Sequence, residues 1–523
     1  MQITKARYIA LVIIVVAAAV LRFHQLGEKS LWFDECLSAI YSQNPISVIL
    51  RTTGLTGGIN PPLDYILIHA STRWDTTEFR VRLPAALMGI AAVYLSYLLG
   101  AALRGRAFGL WLAVLMALSP WHIAYSQEAR PYSVYLTTAL AASCFLLLAA
   151  RRGGWKAWAG YAVCMSLCFY THYYSVFVVV FHGVFLLLAV LMRPRRGDAE
   201  GPAVSWKTVG GWLCAVFAAF LLFSPWLPIM RMQYGGIHPR YKQVFSLGSF
   251  KSVEKVLRYY DAMLCGDVYP RLAFARASSV PALLLLVLAA AASLRKRRLA
   301  TLFMLCGGVL PAAGIYLLSS LKPGIPFNAR HVVPFLPYYL ALCLSGLTDA
   351  AGSLRGARAR RAAFLYGIWV LLCIEGLGVR FYFEDYRKED WRSIGGTLRA
   401  GALPGDAIAF YRGHLSSAIG YYYQGAQDTY MFDDMYEFLP RVLDDVRRHE
   451  RVWLVTGHIW NDGQWSGHRE ALGREMERGF RVLFRQNYGS DMEMTLYERK
   501  AKGVPPKVRG RRMPFHVLWF GER

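Results

Sequence analysis

Charge is scarce in this chain. Only 18% of its 523 residues are Asp, Glu, Lys or Arg, against 55% hydrophobic residues, and the mean hydropathy is positive. Few soluble proteins of this length have that balance. No internal repeat and no low-complexity tract is found. Acids are the scarcer sign, 34 against 59 Lys and Arg, for a net charge of +25. Such an excess of base can signal nucleic acid, but its distribution excludes that here. The bases cluster in short patches between apolar runs: Arg104 and Arg106, Arg151 to Lys156, Arg193 to Arg196, Arg295 to Arg298, and Arg355 to Arg361. Those are the charges of cytoplasmic loops.

The apolar runs themselves are about 17–25 residues long, the length a helix needs to cross a bilayer. They predict about eleven spans, at 7–25, 80–101, 107–123, 132–150, 155–171, 174–192, 208–228, 277–294, 299–319, 331–348 and 363–380. The first run follows Lys5 and Arg7, lacks a convincing small-residue cleavage site, and is read as a retained signal anchor. With the N-terminus inside, every basic patch falls on one side, and the C-terminus is outside. The transmembrane domain is expected over 1–380, with a first external loop at 26–79 that carries two interfacial pieces, 37–50 and 61–71. A separate extracytoplasmic α/β domain is expected over 381–500. It is read from strand-like runs "DAIAFY", "QDTYMF", "RVWLVTGH", "RVLFRQN" and "EMTLYER", with helical patterns at 391–401, 435–449 and 466–479. Residues 501–523 are read as a basic, disordered tail.

The nine cysteines fall mostly in apolar runs. Cys164 and Cys168 are one helical turn apart, without nearby His or Asp to make a metal site. Cys36 and Cys265 are both expected outside, where a disulfide between them is one option.

Polar residues gather in the external links. The first loop has Asp34 and Glu35 inside the aromatic stretch "SLWFDECLSAI". "GGINPPLDYILIHA" supplies Asn60, Asp64 and His69, and "SPWHIAYSQEARPYS" supplies Glu128 and Arg130. "FYTHYYS" supplies His172 and Tyr173, and "PGIPFNARHVVPFLP" supplies Arg330 and His331. On one membrane face these links can line one cavity. Each also has a plainer reading. Arg130 and Arg330 fit interfacial anchors, Asp64 a helix cap, and Asp34 with Glu35 an acidic helix start. His69 and His182 fit satisfied core residues, and Glu375 a pairing partner within the eleventh span. Residue types alone leave both readings open.

In order along the chain, "SLWFDECLSAI", "NPPLDYILIHA", "ALSPWHIAYSQEARPYSVYL" and "NARHVVPFLPYYLAL" resemble the bacterial branch of the GT-C glycosyltransferases, which includes the protein O-mannosyltransferases and the lipid A aminoarabinose transferases. The resemblance runs through most of 1–350, and "KEDWRSIGGTL…GDAIAF" resembles the extracytoplasmic domain of bacterial members. It implies an inner-membrane, multi-pass enzyme that takes a sugar from a polyprenyl-phosphate donor. The acceptor would be a lipid, glycan or protein on the extracytoplasmic face, and membrane lipids rather than nucleic acid would be its other partners. The family's acidic motif maps onto Asp34 and Glu35, and its proline pair onto Pro61-Pro62. Asn60 stands where many members have His or Glu, so a divalent metal is left open. The Trp-Trp-Asp motif of oligosaccharyltransferases and the beta-trefoil insertion of the eukaryotic mannosyltransferases are absent.

Chemistry gives each residue an expected role. Asp34, Glu35 and Glu128 are catalytic candidates, since a hydroxyl attacking an anomeric carbon needs a base. Arg130, Arg330 and His331 are candidates for the donor phosphate, whose leaving charge needs cations. Asn60, Asp64, His172 and Tyr173 would line the cavity. The alternatives are a flippase for a lipid-linked glycan and a membrane-anchored binding module. A transporter keeps ionisable groups near the midplane, often in repeated halves, whereas these spans are nearly free of charge there. The C-terminal α/β domain has no nucleotide loop or catalytic motif to support a binding module.

Overall fold

A computed structural model describes residues 5–52, 60–192, 204–235, 298–321, 329–384, 389–411, 415–432, 439–457, 463–489 and 492–500. The expected span at 277–294, Cys265 and the basic tail lie outside these residues. The chain divides into two compact units. One comprises Met1–Leu26, Pro45–Ser71 and Arg80–Tyr386, and the other Gly27–Asn44, Thr72–Phe79 and Arg387–Arg523.

The first unit is helical, as hydrocarbon demands of any single spanning segment: a helix satisfies its own backbone. Among the described residues, eight helices are long and apolar enough to cross a membrane, or nine with one bent pair. Seven are Lys5–Phe23, Glu78–Arg104, Tyr132–Arg152, Tyr173–Leu191, Trp206–Gln233, Arg330–Gly352 and Ala357–Glu384, and the eighth is Leu299–Leu318. Trp155–Phe169, where a span was expected, is a shorter helix. Large apolar side chains such as Ile13, Phe217, Leu365 and Trp369 stand exposed on the helices, while Tyr135, Phe181, Phe303 and Tyr338 fill the interior. Apolar outside as well as inside is the pattern of a chain solvated by lipid.

The bent pair is Arg106–Leu118 and Pro120–Ser126, broken by 62°. Pro120 has no N–H for the carbonyl of Met116. Arg22, fully buried in the first helix, replaces it by donating to the Met116 and Ala117 carbonyls at 3.0 and 2.9 Å, and its Nη2 also reaches His122 Nδ1 at 2.6 Å. Gln127 returns the exchange, donating to the carbonyls of Leu21, Arg22 and His24 at the end of the first helix. Gly89 makes room: a Cβ there would fall on Ser126 Oγ. These bonds fix the turn that carries Glu128 and Arg130.

Arg104, expected as a loop charge, ends its helix and is paired. Its guanidinium grips Asp349 with two bonds of 2.9 and 2.6 Å, and both side chains are buried. His182 is a satisfied interior residue, bonded to Ser143 at 2.8 Å and Tyr161 at 3.1 Å.

The second unit is built on a five-stranded sheet of order β2-β1-β3-β5-β4, with β1 Ala407–Tyr411, β2 Asp428–Phe432, β3 Arg451–Thr456, β4 Phe480–Tyr488 and β5 Met492–Arg499. The first three strands are parallel, and β5 runs antiparallel to β3 and β4. β1 is buried along its whole length, as a continuous apolar run in a parallel layer should be. Helices Trp391–Gly401, Leu439–Val446 and Gly463–Gly479 fall on the expected patterns, and a further one spans Ser416–Tyr422. Two pieces of the first loop, Gly27–Asn44 and Thr72–Phe79, group with this domain in space.

Candidate functional site

In the membrane unit, four segments bring polar groups together. The first is helix Leu63–Ser71. It begins after Pro61-Pro62, as proline's fixed φ favours, and is tied down by Leu63 N–H to the Tyr170 carbonyl at 3.0 Å. Its Asp64 is 2% exposed, and its Oδ2 accepts no hydrogen bond among the described residues. A capping aspartate would spend that oxygen on backbone N–H. Burial instead raises the Asp64 pKa from the ordinary 3.8 to about 7, and the positive charge of Arg130 opposes the rise.

Arg130 comes from the turn after the bent pair, where its N–H donates to the Glu128 carbonyl at 2.8 Å; Glu128 itself is buried. His172 comes from the turn before helix Val176–Leu191, and its Nδ1 accepts from Tyr174 N–H at 3.2 Å. Burial, then the charges of Arg130 and Arg330, lower its pKa to about 3. His172 is therefore neutral at physiological pH. With Nδ1 accepting, its proton sits on Nε2, which is a donor. The His172 ring stacks on Tyr135 at 5.3 Å and lies 5.5 Å from the ring of His331. Tyr132 flanks both rings, at 6.0 and 6.5 Å, and Tyr174 meets His331 edge-on at 4.7 Å. Arg330 and His331 belong to the 3₁₀ segment Ala329–Phe335.

The structure thus gathers Asp64, Arg130, His172, Arg330 and His331. Tyr173 and Asn60 belong to an adjoining chain of bonds. Trp226 Nε1–H donates to Tyr173 Oη at 3.0 Å, Tyr173 donates to Gln233 Oε1, and Gln233 donates to the Asn60 carbonyl at 3.5 Å. Sequence reasoning passed over Tyr132, Tyr174, Trp226 and Gln233. The two tyrosines stand inside the quoted "ARPYS" and "THYY", so adjacency was the available signal; nothing marked the other two. Among the described residues, no three His, Cys, Asp or Glu side chains gather as a metal-holding group.

Asp34 and Glu35 lie in the second unit, in the first turn of helix Phe33–Ser42. Glu35 is fully buried, and its Oε2 accepts from Trp32 N–H at 3.3 Å, the reach-back of a capping residue. That bond is the one an acidic helix start makes. Asp34 is half-buried. Cys36 is buried behind them.

Comparison with known proteins gives the class. The family model of dolichyl-phosphate-mannose-protein mannosyltransferases matches residues 60–229. That stretch includes Asp64, Arg130 and His172. No curated protein matches the chain. Among solved structures, the apo form of ArnT from Cupriavidus metallidurans is similar with a TM-score of 0.55 at 13% identity, over 94% of this chain and 98% of that one. The same ArnT bound to undecaprenyl phosphate gives 0.53 at 14% identity, over 92% and 97%. The archaeal oligosaccharyltransferase AglB from Archaeoglobus fulgidus, in complex with an inhibitory peptide and a dolichol-phosphate, gives 0.53 at 11% identity, over 93% and 74%. The fold is therefore the GT-C glycosyltransferase membrane fold. The family model and the ArnT structures are what this chain is similar to within that fold.

Proposed function

We propose that this protein is a membrane glycosyltransferase that moves a sugar from a polyprenyl-phosphate donor to a hydroxyl on the extracytoplasmic face. The observation that carries the reading is the gathering of Arg130 and Arg330, from separate segments, about the buried, ring-packed His172 and His331. Guanidinium groups match phosphate oxygens in a planar fork, and a lipid phosphate is an anion that two of them can share. The similarity to a structure described as holding undecaprenyl phosphate supports the same donor class.

The acceptor oxygen attacks the anomeric carbon and forms the new glycosidic bond. The bond from that carbon to the phosphate oxygen breaks, and its electron pair leaves with the lipid phosphate. Arg130 and Arg330 take up the charge that grows there, and His172 Nε2–H adds a neutral hydrogen bond. The acceptor's proton passes to a carboxylate. Asp34, half-buried where Glu35 is fully buried, suits that role better. The Glu128 carbonyl closes the tight turn that aims Arg130, and the Glu128 carboxylate is the second candidate for the base.

The decisive cellular experiment is mass spectrometry of polyprenyl-phosphate sugars and surface glycans from cells lacking the protein. An accumulated donor with one sugar missing from an acceptor is expected, and it identifies both substrates. Unchanged donor and glycan pools would overturn the proposal.

A further inference from the structure

The C-terminal domain has no catalytic motif of its own, yet its side chains are bonded into the first loop. Glu389 Oε2 accepts from Phe33 N–H at 3.0 Å, across 356 residues of sequence, and from Trp391 Nε1–H at 2.7 Å. Arg392 donates to the Glu28 and Gly27 carbonyls at 3.0 and 2.9 Å and to Glu78 Oε1 at 2.8 Å, and its backbone N–H donates to Ser30 Oγ at 3.1 Å. Tyr422 Oη accepts from Leu31 N–H at 2.8 Å and donates to Glu78 Oε1 at 3.0 Å. The contacts fall on Gly27, Glu28, Ser30, Leu31 and Phe33, the run that leads into Asp34. Leu31, Cys36, Trp391 and Ile394 are all fully buried in the same unit.

We infer that Glu389, Arg392 and Tyr422 are positioning residues that hold Asp34 in place for proton transfer. A helix start has orphan N–H groups. Here Glu35 supplies one acceptor from within the helix, and Glu389 supplies the next from the distant domain. The arginine and tyrosine fix the approach of the chain. A general base works only within hydrogen-bond reach of its proton, and a displacement of about 1 Å can cost about 10²-fold in rate. In this reading the C-terminal domain acts on the chemistry through the placement of Asp34. The inference rests on the proposed role of Asp34.

The test uses the full-length protein in detergent, with donor purified from cells lacking it and undecaprenyl phosphate as the binding probe. Glu389→Ala should lower kcat by roughly 10–100-fold, with the affinity for undecaprenyl phosphate unchanged. Glu389→Gln keeps an acceptor oxygen and should recover most of the loss. Cys36 reports placement independently. Reaction of its thiol with a hydrophilic maleimide, located by peptide mass spectrometry, should be slow in the wild type and in Glu389→Gln and fast in Glu389→Ala. Should Glu389→Ala fail to fold, Tyr422→Phe removes only the hydroxyl that receives Leu31 N–H and should give the same split. Wild-type kcat with an unreactive Cys36 in the variant that folds would overturn the inference. Loss of undecaprenyl phosphate binding in parallel with kcat, or failure of both variants to fold, would also overturn it. If Asp34→Asn turns over normally, the base assignment is wrong, and Cys36 reactivity still reports whether the loop is held.

Discussion

Two adjacent acids at the start of helix Phe33–Ser42 have separate fates. Glu35 is buried and spends an oxygen on Trp32 N–H, while Asp34 is half-buried. Asp34→Asn keeps the size of the side chain and removes the base, so transfer should fall by about 10²–10⁴-fold with donor binding retained. Turnover equal to wild type would move the assignment to Glu128. Arg130→Ala should weaken donor binding and slow transfer as well, since phosphate charge grows as the bond breaks. Lysine there should restore only part of both, because it keeps the charge but loses the planar fork.

Asp64 gives a pH dependence. Its pKa of about 7 in the fold, against an ordinary 3.8, means the folded chain keeps a proton that the unfolded chain has lost between those values. Stability should therefore fall as pH rises through that window, and Asp64→Asn should flatten the profile. Ligand affinity follows the same proton. Ionised Asp64 competes with phosphate for Arg130, so a donor diester should bind more tightly at pH 6 than at pH 8. A diester has no phosphate proton in that range, unlike a monoester. Isothermal titration at both pH values, on wild type and Asp64→Asn, checks this; a dependence that survives the substitution would place the titrating group elsewhere.

At the scale of elements, the break at Pro120 is held by Arg22, a cation in an apolar helix that contacts the Met116 and Ala117 carbonyls and His122. Arg22→Ala would strand those acceptors and should destabilise the protein by about 3 kcal/mol. Because the break sets the turn of Arg130, transfer should fall as well. The Arg104–Asp349 pair ties helix Glu78–Arg104 to helix Leu336–Gly352. Asp349→Ala leaves a buried cation and should cost about 3–5 kcal/mol, whereas replacing both partners by Leu and Met should cost much less. Thermal unfolding in detergent measures each, and equal losses in the single and double variants would show that the pair acts through packing.

Much of this was legible in the sequence, because long apolar runs and period-2 strands are local signals. The runs at 7–25, 132–150 and 363–380 are helices, and all five strands lie where "DAIAFY" to "EMTLYER" placed them. Helix Ser416–Tyr422 was not seen, since its Gly420 and the tyrosines after it carry no amphipathic period. The gathering of Asp64, Arg130, His172 and Arg330 was legible only as residue types in separate links; their mutual influence depends on burial, which no spacing encodes. Arg104 read as a loop charge because its partner Asp349 is 245 residues away. The grouping of Gly27–Asn44 with the sheet domain is bonded through Glu389, Arg392 and Tyr422, ordinary surface residues by type.

At the scale of the whole molecule, the proposed topology has the N-terminus and the Arg104, Arg151 and Arg358 ends in the cytoplasm, and Asp34, Glu128, His172 and the sheet domain outside. Cysteine-accessibility labelling in intact cells should sort the positions that way; labelling of positions 34 and 151 from the same side would contradict it. The central claim is that the sugar leaves its lipid phosphate on this protein. The direct measurement reconstitutes the purified chain in vesicles with a radiolabelled polyprenyl-phosphate sugar and a cell-envelope acceptor fraction, then follows the label. Wild type should move label from the lipid to the acceptor, and Arg130→Ala and Arg330→Ala should not. Label that crosses the bilayer but stays on intact lipid would contradict the account and mark the protein as a flippase.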